Sequence, residues 1–207
     1  MRFPEFTGIK CNMMPFIQGD PASLPSKYQG YAECVAEHFI EKGEIGFLTI
    51  EESIVPPGKS QRGFNSAGIS RNVHVEVGYD GIKTAVWNPP FWYQDSYPWW
   101  GRDRRVFLEM QTKVLIANSV SGTCRVWDRL EMRPTPDGDL SAYIDDYPEE
   151  SGRLLEAGEV ARISIFTPHE CVPQRDGGPR QFFRIVGKGV HGSEIYFTEN
   201  PLVPRPS

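Results

Sequence analysis

From Gly43 onward this chain keeps returning to short apolar runs that alternate or are rich in β-branched residues. GFLTI (46–50), NVHVEVGY (72–79), VFLEM (106–110), KVLIANSV (113–120), GTCRVWDRLEM (122–132), GEVARISIF (158–166), RQFFRIVG (180–187) and EIYFT (194–198) are such runs. Between them stand PPG, NPP, PDGD, GG and NP, which turn a chain. Runs of this length and period form strands. One segment alone reads as an amphipathic helix, about residues 27–42, with Ser26 as its cap. Tyr28, Ala32, Val35, Ala36, Phe39 and Ile40 share its apolar face, and Gly43 marks its stop. A parallel α/β sheet needs a helix between successive strands, and this chain lacks them. The expectation is a mainly β fold, a sandwich or jelly roll behind an N-terminal helix.

At 207 residues the chain is expected to be a single domain, since domains run to about 100–200 residues. With 22 Lys plus Arg against 27 Asp plus Glu, its formal charge is −5. That balance argues against a coat for nucleic acid. No apolar run approaches the ~18 residues of a membrane span. The opening MRFPEFTGIKCNMMPF lacks the apolar stretch of a signal peptide, so a soluble, cytoplasmic protein is expected. Cys11, Cys34, Cys124 and Cys171 are scattered, with no CxxC pair. They read as reduced, mostly buried thiols and not as a disulfide framework or zinc site. The Pro-rich tail, about 200–207, is read either as disordered or as clasping a neighbour, and the oligomeric state stays open.

Histidine is scarce, with four in all. His38 reads as a boundary residue of the helix and His191 as a turn residue. His74 and Glu76 stand two apart in a strand pattern, so their side chains leave one face while Val73, Val75 and Val77 fill the other. Such a pair can supply two ligands to one metal. His169, in the turn-like TPHE that closes GEVARISIF, is the candidate third. Two imidazoles and one carboxylate make the facial triad of non-haem Fe(II) oxygenases, which leaves positions open for co-substrate and O₂. Residues 87–105 hold seven aromatic side chains without a clean period. They read either as a long loop pinned by packing or as a lid over a site.

The stretch after His169, HECVPQRDGGPRQFFRIVG (169–187), resembles the C-terminal half of the Fe(II)- and 2-oxoglutarate-dependent dioxygenases, in particular the prolyl-hydroxylase-like branch. In that family the distal histidine is followed by a Pro, a Gly-containing turn and a basic residue opening the next strand. His169, Pro173, Gly177, Gly178 and Arg180 stand here in that order. The likeness runs from His74 to about Gly187. It implies a double-stranded β-helix of jelly-roll, cupin-like form. It also implies Fe(II) on His74, Glu76 and His169, 2-oxoglutarate as co-substrate, and oxidation of a C–H bond with release of succinate and CO₂.

The resemblance places the basic residue that binds 2-oxoglutarate at Arg180. The planar guanidinium suits a carboxylate. Arg184 shares the strand parity of Arg180 and is the alternative for 2-oxoglutarate or for an acidic substrate group. The family's commoner carboxylate is Asp, where this chain has Glu76. The interval from His74 to His169 exceeds that of compact members, and the aromatic segment 87–105 fills most of it. A substrate wall is expected there, at Trp92, Tyr93 and Trp99, with Arg125 as a possible anchor for an anion. The substrate class is a small molecule or peptide. Two other readings remain: a cupin-type binding protein without oxygenase activity, and a metal-dependent isomerase or hydrolase on the same barrel.

Overall fold

The structure, a computed structural model, describes residues 1–61, 71–76, 113–131, 133, 138–187 and 197–203. These form two antiparallel sheets with little helix. The strands are β1 (Lys10–Ile17), β2 (Ile45–Val55), β3 (Lys113–Asn118), β4 (Cys124–Val126), β5 (Arg153–Leu154), β6 (Ala161–Ser164), β7 (His169–Cys171) and β8 (Gly178–Val186). The larger sheet runs β1-β2-β8-β3-β6 and the smaller β5-β4-β7. The mainly β expectation is met. No helix among the described residues is long and apolar enough to cross a membrane.

The larger sheet buries both faces, which explains why β8 reads as a nearly continuous apolar run. Phe183 and Ile185 pack with Leu48, Ile50, Leu115, Ala117 and the N-terminal residues Tyr28, Tyr31 and Val35. Phe182 and Val186 face the other way, into a core shared by Val114, Ile116, Cys124, Val126, Ala161 and Ile163. That second core draws on both sheets and so lies between them. Side chains alternate along a strand, so Arg180 and Arg184 project into this inter-sheet core with Phe182. Register agrees: Thr49 pairs with Arg184 across β2/β8, and Ile116 pairs with it across β3/β8.

The N-terminal helix is shorter than its pattern. A 3₁₀ turn over Ser26–Tyr31 leads into α1 (Ala32–Glu37), and His38 is already extended at φ −120°, ψ 111°. The Gln18 side-chain oxygen accepts from Ile40 N at 2.9 Å and Glu41 N at 3.3 Å. These amides therefore have an acceptor outside the helix, and Ile40 reaches the core half-buried from irregular chain. Ser26 makes no capping bond; Pro25 precedes the turn. Gly43, at φ +84°, turns the chain into β2, its N–H donating to Gln18 O at 2.8 Å.

β1 escapes the alternation rule because a bulge interrupts it between Cys11 and Met14. Met13 sits there at φ +48°, a conformation uncommon outside glycine. The extra residue puts Cys11 and Met14, three apart in sequence, into one core and sends Met13 into the other. His169 opens a strand and does not lie in a turn. The tail is anchored as far as Val203: Asn200 Nδ2 donates to Pro15 O at 2.7 Å and Ser23 O at 2.8 Å, and Val203 is buried. The aromatic segment with Trp92, Tyr93 and Trp99 lies outside the described residues, as do VFLEM, His191 and residues 204–207.

The turn between β7 and β8 depends on Gly177. It holds φ +68°, and a Cβ there would stand 2.7 Å from both Pro57 N and Val55 O. Both neighbours are backbone, so neither can swing aside. Gly177→Ala is expected to destabilise the fold by about 1–3 kcal/mol. Urea unfolding checks this, with a lower midpoint at unchanged m-value.

Candidate functional site

Three backbone contacts set where His74 and Glu76 point. His74 and His169 exchange N–H···O bonds of 2.9 Å in both directions, an antiparallel pair whose side chains share one face. Glu76 N donates to Ile165 O at 3.0 Å. Val73 and Val75 fill the opposite side, packing on Trp127, Leu140 and Tyr147. The alternation read from NVHVEV is therefore realised over Val73–Glu76, and His74, Glu76 and His169 meet on the inner face.

The rings of His74 and His169 lie 4.3 Å apart between centroids, tilted by 55°. His169 Nε2 is 3.5 Å from Glu76 Oε1. Each imidazole is held by its other nitrogen: His74 Nδ1 lies 2.9 Å from Asn72 O, and His169 Nδ1 lies 2.9 Å from Thr167 O. A carbonyl oxygen only accepts, so Nδ1 carries the proton and Nε2 is the lone-pair atom of each neutral ring. Ligating histidines are oriented in this way.

Glu76 is buried, and Arg184 Nη1 donates to its Oε2 at 2.5 Å. The same guanidinium donates to Thr49 Oγ1 at 3.2 Å and to Met13 Sδ at 3.5 Å. The β1 bulge thus serves the site by bringing Met13 to Arg184. Burial by itself would raise the Glu76 carboxyl. The adjacent Arg184 guanidinium is the foremost influence opposing it, and the group is held well below the usual carboxylate range. A lowered folded value means that Glu76 stabilises the fold above its unfolded value of about 4.3. That contribution is lost as pH falls below ~4.3 toward the folded value. The melting-temperature gap between wild type and Glu76→Gln is expected to be widest near neutrality and to narrow with acidification below pH ~4.

Arg180 is the most deeply placed cation among the described residues, 1% exposed. Its Nη2 donates to Asn118 Oδ1 at 2.6 Å and to Thr123 O at 2.8 Å, and its Nη1 to Cys171 Sγ at 3.0 Å. Its Nε is buried without a hydrogen-bond partner among the described residues, and none of their carboxylates pairs with it. Arg184, by contrast, has Glu76. The described partners of Arg180 are neutral acceptors, and a guanidinium is suited to pairing with an anion. Cys171 lies two residues beyond His169 on the same face, about 7 Å along the strand. That is the order of reach between the two ends of a short dicarboxylate.

Arg125 does not belong to this site. On β4 it pairs with Glu170, while its neighbours Cys124 and Val126 pair with Cys171 and His169. Its side chain therefore leaves the outer face. There it donates to Glu170 and, at 2.7 Å, to Glu149 Oε2. Arg71 grips the same Glu170 through bonds of 3.1 and 3.2 Å and lies over Trp127. The expected anion anchor is a structural ion network, decided by strand parity. Trp127 is core, packed with Val73, Val75, Leu140 and Tyr147. Sequence reasoning missed Glu170, Thr49, Met13 and Cys171. Reading 169–171 as strand would have put Cys171 beside His169.

Among the described residues, no three His, Cys, Asp or Glu side chains already stand at mutual ligating distance. The fit to a metal rests on donor chemistry: two Nε2 donors and one ionised carboxylate on a single inner face. Two ligands about 2.1 Å from one ion at a right angle lie about 3 Å apart, slightly closer than His169 Nε2 and Glu76 Oε1. Comparison of the chain with protein-family models, curated proteins and solved structures finds no match.

Proposed function

We propose that this chain is an Fe(II)- and 2-oxoglutarate-dependent oxygenase acting on a C–H bond of a small molecule or peptide, and that its two sheets are the halves of a double-stranded β-helix. One observation carries the reading: His74, Glu76 and His169 converge on one inner face, with each imidazole Nδ1 set against a backbone carbonyl. His74, Glu76 and His169 would hold Fe(II). When bound, iron and 2-oxoglutarate supply the oxidising power for C–H cleavage by O₂, with release of succinate and CO₂.

The chain's own residues do the rest. Asn72 and Thr167 carbonyls fix the imidazoles. Arg184 holds Glu76 ionised and directs Oε2 away, leaving Oε1 on the His169 side. Arg180 is the cation for the distal carboxylate of 2-oxoglutarate, and Asn118, Thr123 and Cys171 orient its fork. Arg184 is engaged by Glu76, which favours Arg180 over it for this part. The apolar inter-sheet core excludes water around both charges.

The Arg184–Glu76 ion pair also favours a second reading, a metal-free binding jelly roll in which the carboxylate is satisfied within the core. Anaerobic addition of Fe(II) and 2-oxoglutarate separates the two. The oxygenase is expected to develop a weak visible charge-transfer band, and to release succinate once O₂ and a substrate pool are supplied. Folded protein that shows no band at saturating concentrations leaves the binding jelly roll.

A further inference from the structure

Cys124 and Cys171 are 47 positions apart in sequence yet directly opposite on neighbouring antiparallel strands. The bonds that bracket them fix the kind of pair. Val172 N donates to Thr123 O at 2.9 Å, and Trp127 N donates to Pro168 O at 3.0 Å. Both run just outside facing residues, so Cys124/Cys171 and Val126/His169 occupy non-hydrogen-bonded positions. Cα atoms there are about 4.5 Å apart and side chains are at their closest. That separation falls inside the range that a disulfide spans. Both side chains leave the inner face, since Cys124 packs in the inter-sheet core and Cys171 Sγ reaches Arg180. None of the four cysteines is in a disulfide.

The two thiols differ in access. Cys124 is buried and Cys171 is partly exposed. Reactive cysteines sit in partly exposed, electropositive surroundings, and Cys171 has a guanidinium hydrogen on its sulfur. Cys11 and Cys34 are buried elsewhere, under the N-terminal segment.

We infer that Cys124 and Cys171 form a reversible thiol oxidation site, with Cys171 attacked first and Cys124 resolving. A peroxide is the oxidant. The Cys171 sulfur displaces water from hydrogen peroxide and becomes a sulfenic acid. Cys124 sulfur then attacks the Cys171 sulfur, and the sulfenic oxygen leaves as a second water with the Cys124 proton. Two thiols lose two electrons, and one peroxide becomes two waters. A disulfide bridging adjacent strands is of the strained, reducible kind used for regulation. The bridge turns Cys171 sulfur toward β4 and away from Arg180. This site stands whether or not the proposed oxygenase activity does.

Limited hydrogen peroxide followed by denaturation, alkylation and peptide mapping tests it. Wild type is expected to lose two of its four alkylatable thiols, to yield a Cys124–Cys171 cross-linked peptide, and to recover both thiols with dithiothreitol. Cys124→Ser is expected to accumulate a dimedone-reactive sulfenic acid at Cys171. Four thiols surviving peroxide, or a cross-link through Cys11 or Cys34, overturns the inference. So does unchanged thiol loss in Cys171→Ser. The wild-type peptide map decides the matter even if a variant fails to fold.

Discussion

His169→Ala is expected to abolish metal binding while the sheets remain. The strand contacts of this position are made by its backbone: His74 N to His169 O, and His169 N to His74 O. Truncation at Cβ leaves both bonds in place. It removes an imidazole that lies 3.5 Å from the Glu76 carboxylate. Loss of a mere partner to a ligand costs about 10–100-fold in affinity, so loss of the ligand itself is expected to exceed ~100-fold. Co(II) titration followed by its visible absorption reports the affinity, and far-UV circular dichroism reports the fold. Equal Co(II) affinity in wild type and variant, with both folded, removes His169 from the ligand set. Wild type that binds no Co(II) counts instead against the metal reading as a whole.

The second large effect is expected at Arg180. Met fills a similar length without the charge, so Arg180→Met separates anion binding from packing. At about 100 times its dissociation constant, 2-oxoglutarate stabilises a binding protein by about 2.7 kcal/mol. Urea unfolding with and without 2-oxoglutarate, in the presence of Mn(II), is expected to show that gain in wild type and none in Arg180→Met. Removing one member of a buried, hydrogen-bonded charge pair costs about 2–5 kcal/mol of binding, enough to erase the gain. An equal gain in both proteins would falsify the assignment of the co-substrate to Arg180. Loss of the gain in Arg184→Met alone would transfer the role to Arg184.

Much of the inner face is legible in the sequence. Val73 and Val75 alternate with His74 and Glu76, and a period of two has one structural meaning, opposite faces of a strand. Arg180 and Arg184 share parity for the same reason, and both enter the inter-sheet core. Parity does not say which face of a strand is inner when both faces are buried. Arg125 shows this: Cys124 and Val126 took the inner face, and Arg125 was left to Glu170 and Glu149 outside. Local pattern failed also where a long-range partner overrode it. Gln18 captures the amides of Ile40 and Glu41, and a helix that the spacing carries to residue 42 ends at Glu37. The bulge at Met13 hid β1 by breaking its alternation.

The sequence by itself determined the β-rich class, the turns that Gly and Pro demand, and the sharing of a face by His74 and Glu76. These follow from backbone stereochemistry over a few residues, which the local chain specifies. Only the tertiary structure decided that His169 opens a strand beside His74, that Arg184 is engaged by Glu76 while Arg180 lacks a described carboxylate, and that Cys124 faces Cys171. Those outcomes depend on strand order and register, which are settled by burial across the whole sheet and by no single segment of it.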